Sequence, residues 1–487
     1  MIEQANNVSP LEVGEVTFAL PFQRFSISCA ISAEETLPVV TEFSLRLIHA
    51  CESLAPARLQ SFFGFSEKEL RSVIATLEDQ RLATWQDDEL TLTPYAKARF
   101  FDSPDGIPRF FKIKDWNGEV AFDLISFSHV VKSAGSKPFP VFVDLRSKDE
   151  ARESRTVYSA EQAFQSEFRK IIRKERTEIY KMSSVEPKER SVFPLTCKFF
   201  VAIDGAPKIV RSLPDEIFSD KLEIAEAISD ALSSAPPAKN TRILDFIETF
   251  NDDLLSRYVD AGGFDLTRYL RDVHSNRVVG YGDDTEPVLG SLYLKQNRAM
   301  LLDWTKSSLT SDIDVKKVHS ACWLAPRSPF WGRSSSVRHF VSEQERALRG
   351  SEDSGSTHDP SPSSSVGIKT IIPCQPGRDA IRLSKIHRGC GPKLFGSDHN
   401  VMNGQCELFV VSGLYVCALF HYVVDSAITI PIGFISRSAN RIEAAAELIR
   451  SAHTASSRIF SISDEHDTSD IDVELGFILR REPRESV

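Results

Sequence analysis

The chain has 487 residues, more than one hydrophobic core usually organises, so about two to four domains are expected. Hydrophobic residues make up 41% and charged residues 26% of the chain, which is typical of packed globular domains and excludes a disordered polymer. The formal net charge of -10 argues against a protein that coats nucleic acid through bulk charge, but it leaves room for a local basic face.

The N-terminus, the apolar segments and the cysteines indicate a cytoplasmic protein. The start of the chain, MIEQANNVSPLEVGEV, lacks the basic start and apolar core of a signal peptide. The longest apolar stretch, residues 408–435, is interrupted by polar residues and Pro431, whereas a spanning helix needs roughly 20 mostly apolar residues. The eight cysteines are dispersed without a CxxC pair, as expected of reduced thiols. We therefore predict no membrane segment and no disulfide framework.

Residues 1–35 are predicted to form N-terminal strands. Apolar and polar residues alternate loosely over residues 12–31, and a pair of strands fits this stretch. From residue 36 the spacing becomes helical. A first helix is predicted from apolar residues that follow four apart, namely Val39, Phe43 and Leu47.

Two further helices and a hairpin follow in order. A helix over residues 56–63 is predicted to end at Gly64, and the next helix begins with Ser66 and Glu69, a capping-box pair. Its apolar face comprises Leu70, Val73, Ile74 and Leu77. Strands at 82–85 and 90–93 then flank a polar turn of hairpin length, and another helix follows Pro94.

This order resembles a winged helix. The stretch FFGFSEKELRSVIATLEDQRLATWQDDELTLTPYAKARF resembles winged-helix domains of bacterial regulators, especially in the leucine after the third helix and in the LTPYA exit from the wing. The resemblance implies a winged-helix domain over residues 36–101, whose third helix can enter a DNA major groove.

The charges of this third helix leave its partner open. On and beside its solvent face, the cations Lys68 and Arg71 stand against the anions Glu69 and Asp79. Phosphate binding gains from released counterions only where positive charge accumulates, so the face is a poor match to DNA. We retain two interpretations of the helix, contact with DNA through Lys68 and Arg71, and a protein-docking or structural role.

Residues 110–232 are predicted to form an α/β domain with a basic helix. Strands at 139–145 and 195–203 flank a helix over residues 159–176, which begins at a capping box of Ser159 and Gln162. Its polar side carries five cations within eight residues, namely Arg169, Lys170, Arg173, Lys174 and Arg176. Such a row could follow a phosphate backbone. The alternative is a solvated helix end, where cations suit the helix dipole.

The remaining chain is predicted to form a helical region and a C-terminal α/β domain. The stretch 233–240 is a boundary before a mainly helical region over 241–310. Residues 311–460 then form an α/β domain, whose polar segment 351–366 is a flexible loop, and 461–487 form a tail. In the C-terminal domain, strands are expected at 407–411, 414–424 and 428–435, followed by a helix at 441–451. The fold class is thus a multidomain mixed α/β (α+β) protein.

Two clusters in this last domain have functional and structural interpretations. His387, Cys390, His399 and Cys406 are residue types that bind zinc, but their spacing fits no known finger, so we predict ordinary loop residues, no metal and no cofactor. A second cluster contains two tryptophans beside two basic side chains, namely Trp323, Trp331, Arg333 and His319. The tryptophans could stack on a base, or they could plug the junction between domains.

Residues 432–440 resemble the strand end of phospholipase-D-like nucleases, with a turn of small residues and an asparagine. The chemistry of that family needs a histidine nucleophile and a lysine two positions later, and the chain contains no His-x-Lys. The resemblance therefore implies a degenerate relative. Phosphate-loop, HExxH and GxSxG motifs are also lacking.

The sequence favours a non-catalytic, nucleic-acid-associated accessory protein of a bacterial multi-component system, such as one that defends against phage. It would bind DNA or dock on a DNA-processing helicase, ATPase or nuclease. One alternative is a diverged phosphodiesterase or nuclease that uses the C-terminal half, with His319 or His421 in its site. Another is a protein-interaction scaffold without a nucleic-acid role.

Overall fold

The computed structural model describes most of the chain between residues 10 and 480. The described ranges are 10–35, 37–101, 106–131, 141–148, 155–173, 177–203, 205–213, 216–233, 242–275, 277, 284–311, 320–349, 367–424, 428–454, 458–462 and 471–480. The predicted loop 351–366 lies outside these ranges, as does most of the predicted boundary at 233–240.

The described residues form helices and strands in a mixed α/β architecture, as the sequence predicts. The helices are α1 (Val39–Cys51), α2 (Pro56–Phe63), α3 (Glu67–Asp79), α4 (Pro94–Ala98), α5 (Thr156–Ile172), α6 (Leu222–Ser233), α7 (Ile243–Phe250), α8 (Asp253–Ser256), α9 (Leu266–His274), α10 (Lys295–Ser311), α11 (Ser336–Leu348), α12 (Arg378–Ile386), α13 (Ala439–Ser451), α14 (Ile471–Glu474) and α15 (Gly476–Leu479). The strands are β1 (Leu11–Glu35), β2 (Ser53–Leu54), β3 (Ala83–Gln86), β4 (Glu89–Leu92), β5 (Phe110–Asp123), β6 (Val143–Asp144), β7 (Thr177–Ala202), β8 (Lys208–Ser212), β9 (Val259–Asp260), β10 (Gly263–Phe264), β11 (Thr285–Leu289), β12 (Ala321–Leu324), β13 (Ile368–Pro373), β14 (Lys393–Ser397), β15 (Cys406–Val411), β16 (Tyr415–Val423), β17 (Thr429–Ser436) and β18 (Ile459–Ser461).

The N-terminal sheet is built around the single long strand β1, so the predicted pair of strands is wrong. β1 pairs antiparallel with β5 on one side and with β7 on the other. The segment holds no Asn-Gly or Asp-Gly dipeptide that would reverse the chain, and its irregularities are absorbed as register shifts against β7. Residues at every second position from Phe25 to Ile31 are buried and form one apolar face.

Residues 37–101 contain the predicted helices and hairpin. The strands β2, β4 and β3 form a small antiparallel sheet, and Asp87 and Asp88 make a tight turn with φ of 49° and 66°. Ser66 and Glu69 form the predicted capping box at the start of α3. The predicted apolar face of the first helix is wrong at Val39 and Phe43, which are exposed, whereas Leu47 packs against the core of the module as predicted. The side of α1 that is buried carries Thr41, Ser44, Leu45 and Ile48.

The basic helix α5 begins earlier than the sequence predicts. It starts at Thr156, with Arg155 as an N-cap residue that makes no side-chain cap, so the predicted capping box of Ser159 and Gln162 is wrong. The buried stripe of the helix begins at Ala160, so the additional first turn is solvent-facing and exposes Val157 and Tyr158. The described helix ends where Arg173 adopts a left-handed conformation, and Lys174 and Arg176 lie outside the described residues.

Strands interrupt the region that was predicted as mainly helical. The short hairpin of β9 and β10 separates α8 from α9, and β11 joins the edge of the C-terminal sheet. Of the strand predicted over 139–145, residues 141–145 are described, and only Val143 and Asp144 form a strand there, where β6 pairs with β1. The strand predicted over 195–203 is the second half of β7.

The C-terminal half is a mixed sheet with strand order β11-β17-β16-β15-β12-β13-β14-β18. The predicted strands appear as β15, β16 and β17, and the predicted helix appears as α13, which begins two residues earlier. The whole of β15 is buried. Phe246 of α7 packs against one face of this sheet, and Phe340 of α11 packs against the other.

Among the described helices, none has the length and apolar composition that crossing a bilayer requires.

Candidate nucleic-acid interface

The described cations of α5 lie on its exposed side. Ala160, Phe164 and Phe168 are buried against the face of β1, β5 and β7, which fixes how the helix is turned. The side chains of Arg169, Lys170 and Arg173 therefore reach solvent. The structure thus gathers three of the predicted cations at the C-terminal end of one helix.

A groove of about 560 Å³ runs between this end of α5 and the start of β7. Arg169 and Lys170 line it from the helix, and Lys181 lines it from the strand. Tyr180 also lines the groove, and 66% of this residue is exposed. The groove therefore combines positive charge with an accessible aromatic ring.

One carboxylate partly offsets this charge. Glu178 accepts a hydrogen bond from Arg169, with 3.3 Å between Oε1 and Nη2. The two side chains are 81% and 73% exposed, so water and salt screen the pair and it contributes at most about 1 kcal/mol. A phosphate can therefore displace Glu178 from Arg169 at small cost.

A second groove of about 610 Å³ adjoins the N-terminal half of α5. Arg155, Tyr158 and Lys221 line it together with Ser126 and Ser128. Ser166 lines both grooves, so they are neighbours along the helix.

Asp123 and Glu167 shape the second groove. Asp123 is buried and accepts hydrogen bonds from the backbone N–H groups of Ser126 and Ser128, which holds the serine turn in place. Burial raises the pKa of this carboxyl above its ordinary value. Glu167 accepts a hydrogen bond at 3.1 Å from the backbone N–H of His129, so this carboxylate is already engaged at the groove wall.

The exposed side of α3 lacks such an accumulation of cations. Lys68 and Arg71 are both exposed as predicted, but Arg71 lies 3.4 Å from the carboxylate of Glu67. Four carboxylates are exposed on this helix, namely Glu67, Glu69, Glu78 and Asp79. The hairpin turn adds Asp87 and Asp88. Lys68 and Arg71 also belong to a module with its own hydrophobic core, separate from the core under α5.

The two tryptophans are buried, so they offer no surface for base stacking. Each indole N–H donates to Oε1 of Glu407 at 2.9 Å. The other carboxylate oxygen of Glu407 lies 2.6 Å from Nε2 of His421, whose Nδ1 lies 2.7 Å from the hydroxyl of Thr429. Both ring nitrogens of His421 are thus occupied in a buried network, which does not favour the predicted catalytic role of this histidine.

Arg333 and Ser334 join the C-terminal sheet to the N-terminal one. The Arg333 guanidinium donates to the backbone carbonyls of Val141 and Phe142, and burial lowers its pKa to about 10. Ser334 donates to the buried Glu15 of β1. The segment after Trp331 therefore fills the junction between the two sheets. His319, which was grouped with the tryptophans, lies outside the described residues.

The four residues considered for zinc lie in different surroundings. His387 and Cys390 are buried, with 3.8 Å between Nδ1 and Sγ, and burial lowers the pKa of His387 to about 3. Cys406 belongs to the buried strand β15, whereas His399 is partly exposed. Within the described ranges, no group of three or more His, Cys, Asp or Glu side chains is arranged to hold a metal ion.

The segment 432–440 covers the end of β17 and the start of α13. A pocket of about 380 Å³ lies there, lined by Asn440 and by the cations Arg257 and Arg441. Asp253 and Asp284 also line it, which offsets its positive charge.

Part of this interface was visible in the sequence and part was missed. The cations of α5 were predicted, whereas Tyr158, Tyr180, Lys181 and Lys221 were not. The available signal was an aromatic residue on the polar side of an amphipathic element, which helical spacing relative to Ala160, Phe164 and Phe168 reveals for Tyr158. Comparisons of the chain with protein-family models, with curated proteins and with solved structures find no match.

Proposed function

We propose that the chain is a non-catalytic accessory protein that binds the phosphate backbone of nucleic acid along α5. The observation that supports this most directly is the exposure of Arg169, Lys170 and Arg173 beside a groove that also holds Lys181. These cations accumulate locally although the whole chain carries a net charge of -10. Local accumulation is what displaces counterions from a phosphate backbone.

The second part of the proposal assigns residues 37–101 to a protein partner. This module has nine carboxylates and seven Lys or Arg residues, so its charge opposes phosphate binding. It also exposes large apolar side chains, including Val39 and Phe43 on α1 and Phe62 on α2. Its resemblance to a winged helix fits docking on a helicase, ATPase or nuclease of a bacterial multi-component system, such as an anti-phage defence system. Exposed apolar side chains favour this partner over DNA.

Charge reversal on α5 tests the first part. In the triple variant Arg169→Glu, Lys170→Glu, Arg173→Glu, we expect the affinity for a labelled oligonucleotide at about 50 mM salt to fall at least about tenfold. The slope of log affinity against log salt should fall by about two to three, since three phosphate contacts are lost. Fluorescence anisotropy of the full chain measures both quantities.

The matched control reverses the two cations of α3. Lys68→Glu with Arg71→Glu reverses two exposed helical cations, where the triple variant reverses three, and we expect it to leave oligonucleotide binding nearly unchanged. Equal losses in both variants would show that the net charge of the chain determines binding and that its position on α5 does not. A wild-type chain that binds no nucleic acid would contradict the proposal and favour a protein-interaction scaffold.

A diverged phosphodiesterase is the second candidate, because Arg257 and Arg441 line a pocket beside Asn440 that could take a phosphate. Two observations weigh against it. The chain has no His-x-Lys, and Phe246 packs on the rings of Phe420 and Phe434 at this face of the sheet. We expect the wild-type chain to leave a labelled oligonucleotide intact with any divalent metal. Cleavage that Asn440→Ala abolishes would establish the enzyme instead.

A further inference from the structure

We infer that the nucleic acid bound along α5 is single-stranded and that its bases stack on Tyr158 and Tyr180. This inference rests on the proposed function and names the substrate class of the same site. Tyr158 lies in the groove at the first half of α5, and Tyr180 lies in the groove at its second half. The two residues are 62% and 66% exposed, although tyrosine is usually half-buried or better.

Cations accompany each tyrosine. Arg155 and Lys221 line the first groove, whereas the second has Arg169, Lys170 and Lys181. The grooves are neighbours that share Ser166, and the inferred strand passes over this residue from one to the other. The 17 residues of α5 span about 25 Å, which is long enough for several nucleotides. Aromatic platforms interleaved with cations are how proteins bind single strands without reading their sequence.

A duplex fits these grooves less well. Its bases are already stacked on one another, so an exposed tyrosine ring gains no contact with a base face. α5 packs on the sheet through the buried rings of Phe164 and Phe168, so its cations lie along the walls of the grooves. The helix does not project from the surface like a recognition helix that enters a major groove. A flexible strand can also bend past Glu167 and Glu178, whereas a rigid duplex holds two dense rows of phosphates near them.

Single substitutions of the tyrosines test the inference. With the full chain and fluorescence anisotropy, we expect Tyr158→Ala and Tyr180→Ala each to weaken binding of an oligothymidine of about 15 nucleotides roughly fivefold or more. Tyr158→Phe and Tyr180→Phe keep the ring and should bind within about twofold of the wild type. Phe101→Ala removes a ring that is 91% exposed outside both grooves, and it should leave binding unchanged.

The same titrations with a duplex of equal length separate the outcomes. Preference for the single strand, lost in the alanine variants and kept in the phenylalanine variants, supports the inference. Equal or tighter binding of the duplex, or alanine variants that bind like the wild type, would overturn it while the proposed function stands. A wild-type chain that binds neither probe overturns the proposed function itself.

Discussion

Glu407→Leu is expected to lower the free energy of unfolding of the C-terminal sheet by roughly 3–5 kcal/mol. The carboxylate is buried in β15 and accepts from the indoles of Trp323 and Trp331 while it contacts His421. Leucine has a similar volume but no hydrogen-bond acceptor. The indole N–H groups of Trp323 and Trp331 would therefore lose their acceptor in a site that water does not reach. This loss is a large share of the stability of a typical domain.

Urea unfolding followed by tryptophan emission measures the effect, because two of the five tryptophans lie in this network. The control is Glu178→Leu, which removes an exposed strand carboxylate and should change stability by about 1 kcal/mol or less. Glu407→Gln keeps one acceptor oxygen for the indoles and should lie between the two. If Glu407→Leu unfolds at the same urea concentration as Glu178→Leu, the network is not a source of stability.

Gly433→Ala is expected to destabilise the same sheet by about 3 kcal/mol or more. Gly433 belongs to β17, which has β11 on one side and β16 on the other. A Cβ atom at this position would stand 2.0 Å from the carbonyl oxygen of Ala418. That oxygen belongs to the backbone of the neighbouring strand, whose pairing on both edges prevents it from moving away.

The yield of soluble protein and the midpoint of thermal unfolding test this expectation. Gly476→Ala is the matched control, because the nearest atoms to its added methyl group are those of the Arg480 side chain, at 3.5 Å and beyond. This variant should unfold within a few degrees of the wild type. A Gly433→Ala protein with normal yield and midpoint would mean that β16 and β17 are further apart than the structure has them.

Local chemistry made several elements predictable. Ser66 and Glu69 satisfy each other within one turn of chain, so α3 begins where the capping box indicates. The polar turn at Asp87 and Asp88 likewise closes a hairpin between residues close in sequence. Three cations of α5 were also predictable as exposed, because the apolar stripe of that helix fixes the opposite side.

The failures share another cause. In α1 an apolar spacing of four pointed to Val39 and Phe43, but packing against the rest of the module buries Leu45 and Ile48. A helix with apolar residues on more than one side does not specify which side faces the core. The length of β1 was also unpredictable, since its partners are β5 and β7, which come far later in the chain.

The sequence by itself determined the mixed α/β class, the capped and hairpin elements of residues 37–101, and the basic side of α5, because these depend on contacts within a few residues. The tertiary structure alone decided that Tyr180 and Lys181 stand beside Arg169 and that Glu407 meets two tryptophans and a histidine. Those groups are brought together by strand pairing and by packing between distant segments, and no spacing in the chain records such distances.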